Sequence, residues 1–196
     1  MLAFNPSRHE YRWFGQVVPS VTQLLTPLQD WAMVPRLAME AAQERGTAVH
    51  LITQLYDEAR LELASVDPAY QAYLDAWCLF ERDYKTHWTG IEIQGYSNRG
   101  GFAGTFDRRG HLRALSSGDV WIVDIKTSAV RHAVMGLQLA AYRQIESERD
   151  PMMALARRAT VQLLPSGKYQ FHEWTNSGDW GVFQSLITLS NWANKS

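Results

Sequence analysis

Hydrophobic residues recur every three or four positions through the first part of the chain, a spacing typical of amphipathic helices. After an irregular N-terminal arm at residues 1–19, Ser20 or Thr22 is placed to cap a first helix. The same spacing continues from about Trp31 to Leu63. Because glycine tolerates non-helical backbone, Gly46 is predicted to separate two helices within that stretch.

A third long helix is predicted to begin at Pro68, with its aromatic residues on one side, and the pattern then changes. The segments IEIQGYS, GFAGTFDRRG and DVWIVDIKTS are rich in β-branched and aromatic residues and predict a three-stranded meander. Helical spacing returns in RHAVMGLQLAAYRQIES. The stretch ATVQLLPSGKYQFHEW predicts a hairpin that turns at PSGK, and SGDWGVFQSLITLSNWANK predicts a last helix.

This order of elements predicts the fold class. Helices, three strands, a helix, two strands and a helix indicate an α/β or α+β architecture. A chain of 196 residues is the usual length of one domain, which we expect to span residues 1–196. Within it we distinguish the arm, a helical part at 20–90 and a sheet core with helices at 91–196.

Composition and charge narrow the function classes. Hydrophobic residues make up 46% of the chain and charged residues 20%, so an ordered core is expected. A formal net charge of −1 argues against a protein that coats duplex DNA by electrostatics alone. The single cysteine, Cys78, excludes an internal disulfide, a zinc knuckle and a four-cysteine iron–sulfur cluster. Without a signal-like or membrane-spanning apolar run, we expect a cytoplasmic protein that does not enter membranes.

The segment WIVDIKTS carries the sharpest chemical pattern, since a buried strand ends in Asp124 and Lys126. Side chains alternate along a strand, so these two lie on the same face, about 7 Å apart along it, while Ile125 points to the other face. One interpretation is a strand-end ion pair that leaves the sheet. The other is a catalytic pair.

Asp107 adds a second carboxylate at the end of the preceding strand, just before a turn predicted at Arg109 and Gly110. It is either a turn residue that caps a hairpin or a metal ligand. Two carboxylates from neighbouring strand ends can converge on one hard cation. Oxygen ligands of this kind suit Mg²⁺ or Mn²⁺.

Two helical positions supply further polar groups. His50 follows Gly46 by four positions at the start of an apolar helix, where a histidine is either a hydrogen-bonded core residue or a ligand. Gln138 and Tyr142 are four positions apart and therefore share a helix face. Taken alone, that pair is a local side-chain contact.

In sequence order these residues form a pattern that resembles the RecB-like branch of the PD-(D/E)XK nucleases. Within that branch the chain looks most like the small single-domain exonucleases of phages and the mitochondrial genome maintenance exonuclease. The resemblance runs through PSVTQLL, RGTAVH, the acidic Glu92 in the first strand, GFAGTFD, VDIKTS, QLAAY and the closing hairpin. It implies a restriction-endonuclease-like core, in which a central mixed β-sheet of about five strands is flanked by α-helices.

The resemblance also implies a metal site. Asp107 and Asp124 would ligate Mg²⁺ or Mn²⁺, the Ile125 carbonyl would complete the set, and His50 would ligate or lie beside the ion. Asp124 stands where many members have glutamate, which shifts the expected metal position by about one methylene. The cysteine cluster of the iron–sulfur members is missing, so no iron–sulfur cluster is expected.

The remaining roles concern catalysis and substrate. Lys126 would be the catalytic lysine, and Gln138 and Tyr142 would border the site, where they contact substrate or orient the lysine. Substrate contacts are also expected from arginines around the site, namely Arg99, Arg108, Arg109 and Arg131. Aromatic residues on which bases could stack include Tyr11, Trp13, Phe14, Trp88 and Tyr96.

We therefore expect a metal-dependent deoxyribonuclease that acts on single-stranded DNA ends or flaps in recombination, replication or repair, in a bacterial or phage-infected cell. Recombination or replication proteins are possible partners. A structure-specific endonuclease on the same fold is an open alternative, because fold does not fix function. A non-catalytic DNA-binding module is a second alternative, although the pattern retains Asp107, Asp124 and Lys126.

Overall fold

Five strands form a mixed sheet in a computed structural model that describes residues 1–6, 8–29, 34–128 and 132–193. In spatial order they are β4 (Thr86–Ser97), β5 (Phe102–Leu112), β6 (Trp121–Lys126), β7 (Arg157–Leu163) and β8 (Tyr169–Glu173). Only β6 and β7 run parallel, and the other neighbouring pairs are antiparallel. The predicted α/β class, with a five-stranded mixed sheet flanked by helices, is confirmed.

Helices cover both faces of this sheet. They are α1 (Val21–Leu25), α2 (Arg36–Asp57), α3 (Pro68–Tyr84), α4 (Val134–Arg149) and α5 (Asp179–Ala193), with short 3₁₀ turns at Thr26–Leu28, Leu63–Ser65 and Pro151–Leu155. Helix α4 lies in the connection between the two parallel strands, as such a crossover requires. Within the described ranges, no helix combines the length and apolarity needed to cross a bilayer.

Two hydrophobic cores hold the layers together. One core joins α1, α4 and α5 to the sheet through buried residues such as Phe106, Ile122 and Phe183. The other joins α2 and α3 to the opposite face through Trp77, Val123 and other buried residues. Successive residues of β6 therefore enter different cores, as strand alternation requires.

Local sequence explains where several helices begin. The Ser20 hydroxyl accepts the N–H of Gln23, and the Gln23 side chain accepts the N–H of Ser20 in return, so α1 starts with a capping box. Asp67 caps α3, with Pro68 at the first helical position. The predicted aromatic face of α3 is confirmed, since Tyr73, Trp77 and Phe80 are all buried.

The prediction that Gly46 separates two helices is wrong, because α2 runs unbroken from Arg36 to Asp57. A Cβ atom at Gly46 would lie 4.0 Å from Oγ1 of Thr127. The glycine therefore lies where the helix passes the end of β6. Glycine costs a helix about 1 kcal/mol relative to alanine, which a packed helix of 22 residues can bear.

The irregular arm predicted at residues 1–19 is also wrong, because most of it forms a second, three-stranded antiparallel sheet. Its strands are β1 (Leu2–Asn5), β2 (Glu10–Trp13) and β3 (Gln16–Val18). Phe14 and Gly15 both have positive φ and form the two-residue turn between β2 and β3. Strands of three or four residues are too short to show a clear alternation, which is why the pattern did not reveal them.

The turn predicted at Arg109 and Gly110 does not exist, since β5 continues to Leu112. Gly110 pairs with Trp88 on one side and with Trp121 on the other. A Cβ atom there would lie 2.2 Å from the carbonyl oxygen of His87, so the glycine permits close strand packing rather than a turn. Asp107 therefore lies in the middle of a strand.

Candidate metal centre

A pocket of about 780 Å³ lies where α2, β4, β5 and the N-terminal sheet meet. Its walls include His50, Glu92 and Asp107, together with Tyr142 from α4. Among the described residues that line it there is no lysine or arginine. The pocket is therefore acidic, and an anionic ligand would need a cation to offset the charge of the two carboxylates.

His50 links helix α2 to two strands. Its Nδ1 atom lies 3.3 Å from Oδ1 of Asp107, and its Nε2 atom lies 3.1 Å from the carbonyl oxygen of Ile125. Both neighbours are acceptors, so the ring can donate to both when it is protonated. Burial acts to lower the pKa of His50, but the charge of Asp107 and the hydrogen bond to it outweigh burial and raise that pKa.

Asp107 occupies the point where β5 and β6 part. Their backbone pairing ends at Arg108 and Val123. Two residues beyond Val123, the N–H of Ile125 donates to Oδ2 of Asp107 at 2.6 Å. Burial acts to raise the pKa of Asp107. The charge and hydrogen bond of His50, the charge of Lys126 and the Ile125 N–H together lower it to about 2, so the carboxylate is ionised.

Glu92 lies beside His50 and Asp107, and we call these three residues the ligand group. The backbone of Glu92 is strained. Its φ is 48° although it lies in the middle of β4, a conformation that non-glycine residues rarely adopt within a strand. One ligand atom from each of His50, Glu92 and Asp107 lies within 4.8 Å of the others. Burial, followed by the charge of Asp107, raises the pKa of Glu92 to about 7.

The side chains of β5 change sides beside this strained residue. Phe102 and Phe106 enter the core under α4, whereas Leu112 enters the core under α2 and α3. All three positions are even-numbered and would share a face in a regular strand. The change falls between Phe106 and Leu112, the stretch in which Asp107 reaches the helix that carries His50.

Asp124 and Lys126 form an ion pair next to the group. The Nζ atom of Lys126 lies 2.5 Å from Oδ2 of Asp124, which confirms that the two side chains share a face of β6. Burial raises the pKa of Asp124 to about 6 against the opposing charge of Lys126. For Lys126, the charges of Asp124 and Asp107 outweigh burial and raise its pKa.

The side chains of His50, Glu92 and Asp107 fit a divalent cation such as Mg²⁺ or Mn²⁺. Two carboxylates and one imidazole are a ligand combination that Mn²⁺ and Mg²⁺ accept, the imidazole favouring Mn²⁺. Asp124 does not belong to the three-residue group but interacts electrostatically with Asp107 and His50. The Ile125 carbonyl, expected as a ligand, contacts Nε2 of His50 in this structure.

Gln138 and Tyr142 lie beside the pocket as one hydrogen-bonded unit. Nε2 of Gln138 donates to the Tyr142 hydroxyl at 2.9 Å, and Tyr142 is 3% exposed where it lines the pocket. Gly104 makes room for the ring, because a Cβ atom there would lie 2.8 Å from Cε1 of Tyr142. Burial raises the pKa of Tyr142 well above its ordinary value, so the hydroxyl remains a donor.

Arg108 is not available to substrate, which corrects the prediction for it. The side chain is fully buried, and its Nε donates to Asp57 at 2.5 Å. Its Nη1 donates to the Asp107 carbonyl oxygen at 2.8 Å and to Glu92 at 3.3 Å. Arg108 thus connects the group to a buried network whose Asp57 also accepts the Trp77 indole N–H at 2.9 Å.

Arg99 and Arg109 do not line the pocket either. Arg99 is exposed and lines a separate depression of about 290 Å³ beside Gln144 and Trp180. Arg109 forms an ion pair with Glu146. Arg131 lies outside the described residues.

Glu92 is the member of this candidate metal-binding group that reasoning from residue patterns alone did not select. Its signal is present in the sequence, because an acidic residue stands between the two apolar residues Ile91 and Ile93 of a strand. In comparisons with known proteins, no family model and no curated protein matches this chain.

Proposed function

We propose that this chain is a metal-dependent DNA exonuclease of the RecB-like PD-(D/E)XK type, which hydrolyses phosphodiester bonds at single-stranded ends or flaps. The observation that carries the proposal is the placement of His50, Glu92 and Asp107 within 4.8 Å of one another in a pocket, with an ion-paired lysine nearby. A lysine next to a carboxylate-rich cation site is a combination suited to phosphoryl transfer.

His50, Glu92 and Asp107 would hold Mg²⁺ or Mn²⁺, with Asp124 adjacent to them. Such a cation supplies charge stabilisation for the phosphoryl oxygens and activates a water molecule. The acidic pocket favours this proposal, since a phosphodiester would otherwise be repelled by the two carboxylates that line it.

Lys126 carries the second part of the chemistry. The ammonium group of Lys126 lies 2.5 Å from Oδ2 of Asp124. The other protons of that ammonium group can be donated to a water molecule or to a phosphoryl oxygen. The network behind the site keeps the ligands in place: Arg108 fixes Glu92 from behind, and the Ile125 N–H fixes Asp107. The ligands therefore require little reorganisation when substrate binds.

The test is cleavage of end-labelled single-stranded and duplex DNA by the purified chain, with Mg²⁺, Mn²⁺ or EDTA. The proposal predicts rapid metal-dependent degradation of the single strand, slow attack on blunt duplex and no reaction in EDTA. Asp107→Asn should abolish cleavage. The matched control, Asp119→Asn, removes a carboxylate that pairs with Arg157 outside the pocket and should cleave like wild type. A wild-type chain that binds DNA but cleaves none of these substrates would indicate a non-catalytic module instead.

A further inference from the structure

The pocket that contains the ligand group also has an aromatic wall. Phe4, His9 and Tyr11 of the N-terminal sheet line it together with His50, Glu92 and Asp107. Phe4 and Tyr11 are cross-strand partners on β1 and β2, so both rings emerge on the same face of that sheet. We call these three residues the aromatic wall.

Two contacts fasten this small sheet to the main one. The Tyr11 hydroxyl forms a hydrogen bond of 2.8 Å with Oγ1 of Thr105 on β5, and Tyr11 is 2% exposed. Two residues along β2, the Trp13 ring stacks on Tyr96 of β4 with centroids 4.4 Å apart and an interplanar angle of 17°. The aromatic wall is therefore held rigidly relative to the strands that carry Glu92 and Asp107.

Phe4 and His9 are the members of the wall that remain accessible. The Phe4 ring stacks on Tyr11 with centroids 4.5 Å apart, but Phe4 is only partly buried. His9 is exposed and meets Phe4 edge to face, with an interplanar angle of 90°. Accessible aromatic rings are the groups on which bases stack in proteins that bind single strands, and here Tyr11 supports the Phe4 ring from behind.

We propose that Phe4 and His9 bind one nucleobase of the substrate strand, with Tyr11 as the fixed support behind them. This inference rests on the proposed function and assigns its substrate-binding subsite. The pocket volume, about 780 Å³, is in the range of pockets for small ligands. The surrounding Gln43, Gln54 and Gln94 offer neutral donors and acceptors, while lysine and arginine are absent from the described lining residues.

The charge of the pocket explains why a base contact is needed. Proteins that grip nucleic acid through phosphates use lysine and arginine, which this lining does not provide. Stacking does not require a lysine or an arginine and tolerates any base, because every base has a π-face. A base held on the aromatic wall would bring its phosphate towards the ligand group in the same pocket.

The test compares the affinity of the protein for a single-stranded oligothymidine with its affinity for a strand of the same length that lacks bases. Every variant also carries Lys126→Ala so that the strand stays intact, and fluorescence anisotropy gives the dissociation constants. With Phe4 present, loss of the bases should weaken binding about 10-fold or more. We call this ratio of the two dissociation constants the base penalty. With Phe4→Ala the base penalty should fall by about 10-fold, so that the two strands bind with similar affinity.

Two further variants separate stacking from packing. Phe4→Trp should keep the penalty, whereas Phe4→Leu, which fills similar space without a π-face, should behave like Phe4→Ala. The matched control is Trp192→Ala, which removes an exposed aromatic ring from helix α5 outside the pocket. Circular dichroism melting identifies any variant that does not fold, and Phe4→Tyr then replaces Phe4→Trp.

The outcomes for the two proposals are distinguishable. An unchanged base penalty in folded Phe4→Ala, or no binding of either strand, overturns the aromatic-wall proposal even if the wild-type chain cleaves DNA. A base penalty that depends on Phe4 supports it even if cleavage is absent. Absence of metal-dependent cleavage by the wild-type chain counts against the proposed function alone.

Discussion

Nδ1 of His50 lies 3.3 Å from Oδ1 of Asp107, which joins the middle of helix α2 to the middle of strand β5. Sites built on helices and strands are held more precisely than sites on loops. Here both elements are packed into the core, and Asp107 is also fixed by the Ile125 N–H. Substitutions of His50 or Asp107 should therefore affect metal binding and cleavage more than the stability of the fold.

Lys126→Ala separates catalysis from metal binding. The substitution removes a positive charge near the ligand group, so metal affinity should stay the same or increase. Cleavage should fall by about 100-fold or more, as is typical when acid–base or electrostatic help is lost. Single-turnover cleavage at saturating Mg²⁺ measures this, with Lys168→Ala in the exposed β7–β8 turn as the control. Wild-type turnover in Lys126→Ala would leave Lys126 only as the partner of Asp124.

The requirement for a free end distinguishes an exonuclease from an endonuclease. A net charge of −1 provides little electrostatic attraction to uniform duplex, so the proposed exonuclease should act on single-stranded ends. Linear single strands should therefore be degraded to short oligonucleotides, whereas closed single-stranded circles of the same sequence should survive. Gel analysis of both substrates in one reaction provides the measurement. Rapid cutting of the circles would assign the same residues to an endonuclease.

The partly buried carboxylate of Glu81 contributes to the pH dependence of stability. Its Oε1 accepts the Trp88 indole N–H at 2.6 Å, and burial, followed by the charge of Asp57, raises its pKa from 4.5 to about 7. Between these values the folded chain keeps a proton that the unfolded chain has released. The free energy of unfolding should therefore fall as the pH rises through this window.

Glu81→Gln should reduce this dependence, because an amide keeps a donor and an acceptor but does not ionise, while the raised pKa values of Glu92 and Asp124 still contribute. The free energy of unfolding of Glu81→Gln minus that of wild type should be larger at pH 8 than at pH 5, by on the order of 1 kcal/mol. Urea unfolding at the two pH values gives the difference. The control is Glu62→Gln on an exposed segment. Equal pH slopes for wild type and Glu81→Gln would refute the assignment.

Two glycines near the site should respond to alanine in opposite directions. At Gly104 a Cβ atom would lie 2.8 Å from the Tyr142 ring and 3.1 Å from Val21, so Gly104→Ala should destabilise the fold and displace Tyr142. At Gly46 the nearest atom would be 4.0 Å away within a continuous helix, so Gly46→Ala should stabilise by about 0.5–1 kcal/mol. Thermal unfolding of both variants tests this difference, and a stabilised Gly104→Ala would contradict the packing described.

Much of the fold follows from periodicity, because the longer elements bury one face. The aromatic face of α3, the meander and the PSGK hairpin were predictable for this reason. The N-terminal sheet was not, since its strands of three and four residues owe their order to distant partners such as Thr105 and Tyr96. Glycine was misleading twice: at Gly46 the helix continues without a break, and at Gly110 the glycine allows close strand packing rather than a turn.

The site was predictable only in part. Asp124 and Lys126 share a strand face by simple alternation, and their pairing needs no tertiary information. The contact of His50 with Asp107 depends on how α2 crosses the sheet, which no local pattern specifies. Likewise, Arg108 looks like a surface arginine in the sequence, but the buried Asp57 provides a partner for its charge inside the protein.

The central claim is that His50, Glu92 and Asp107 bind a divalent cation, and calorimetric titration with Mn²⁺ tests it most directly. The wild-type chain should bind Mn²⁺ at a saturable site in the absence of DNA. Glu92→Gln and Asp107→Asn should each weaken that binding at least about 10-fold, whereas Asp119→Asn should match wild type. A wild-type chain that does not bind Mn²⁺, or an affinity that both substitutions leave unchanged, would contradict the account.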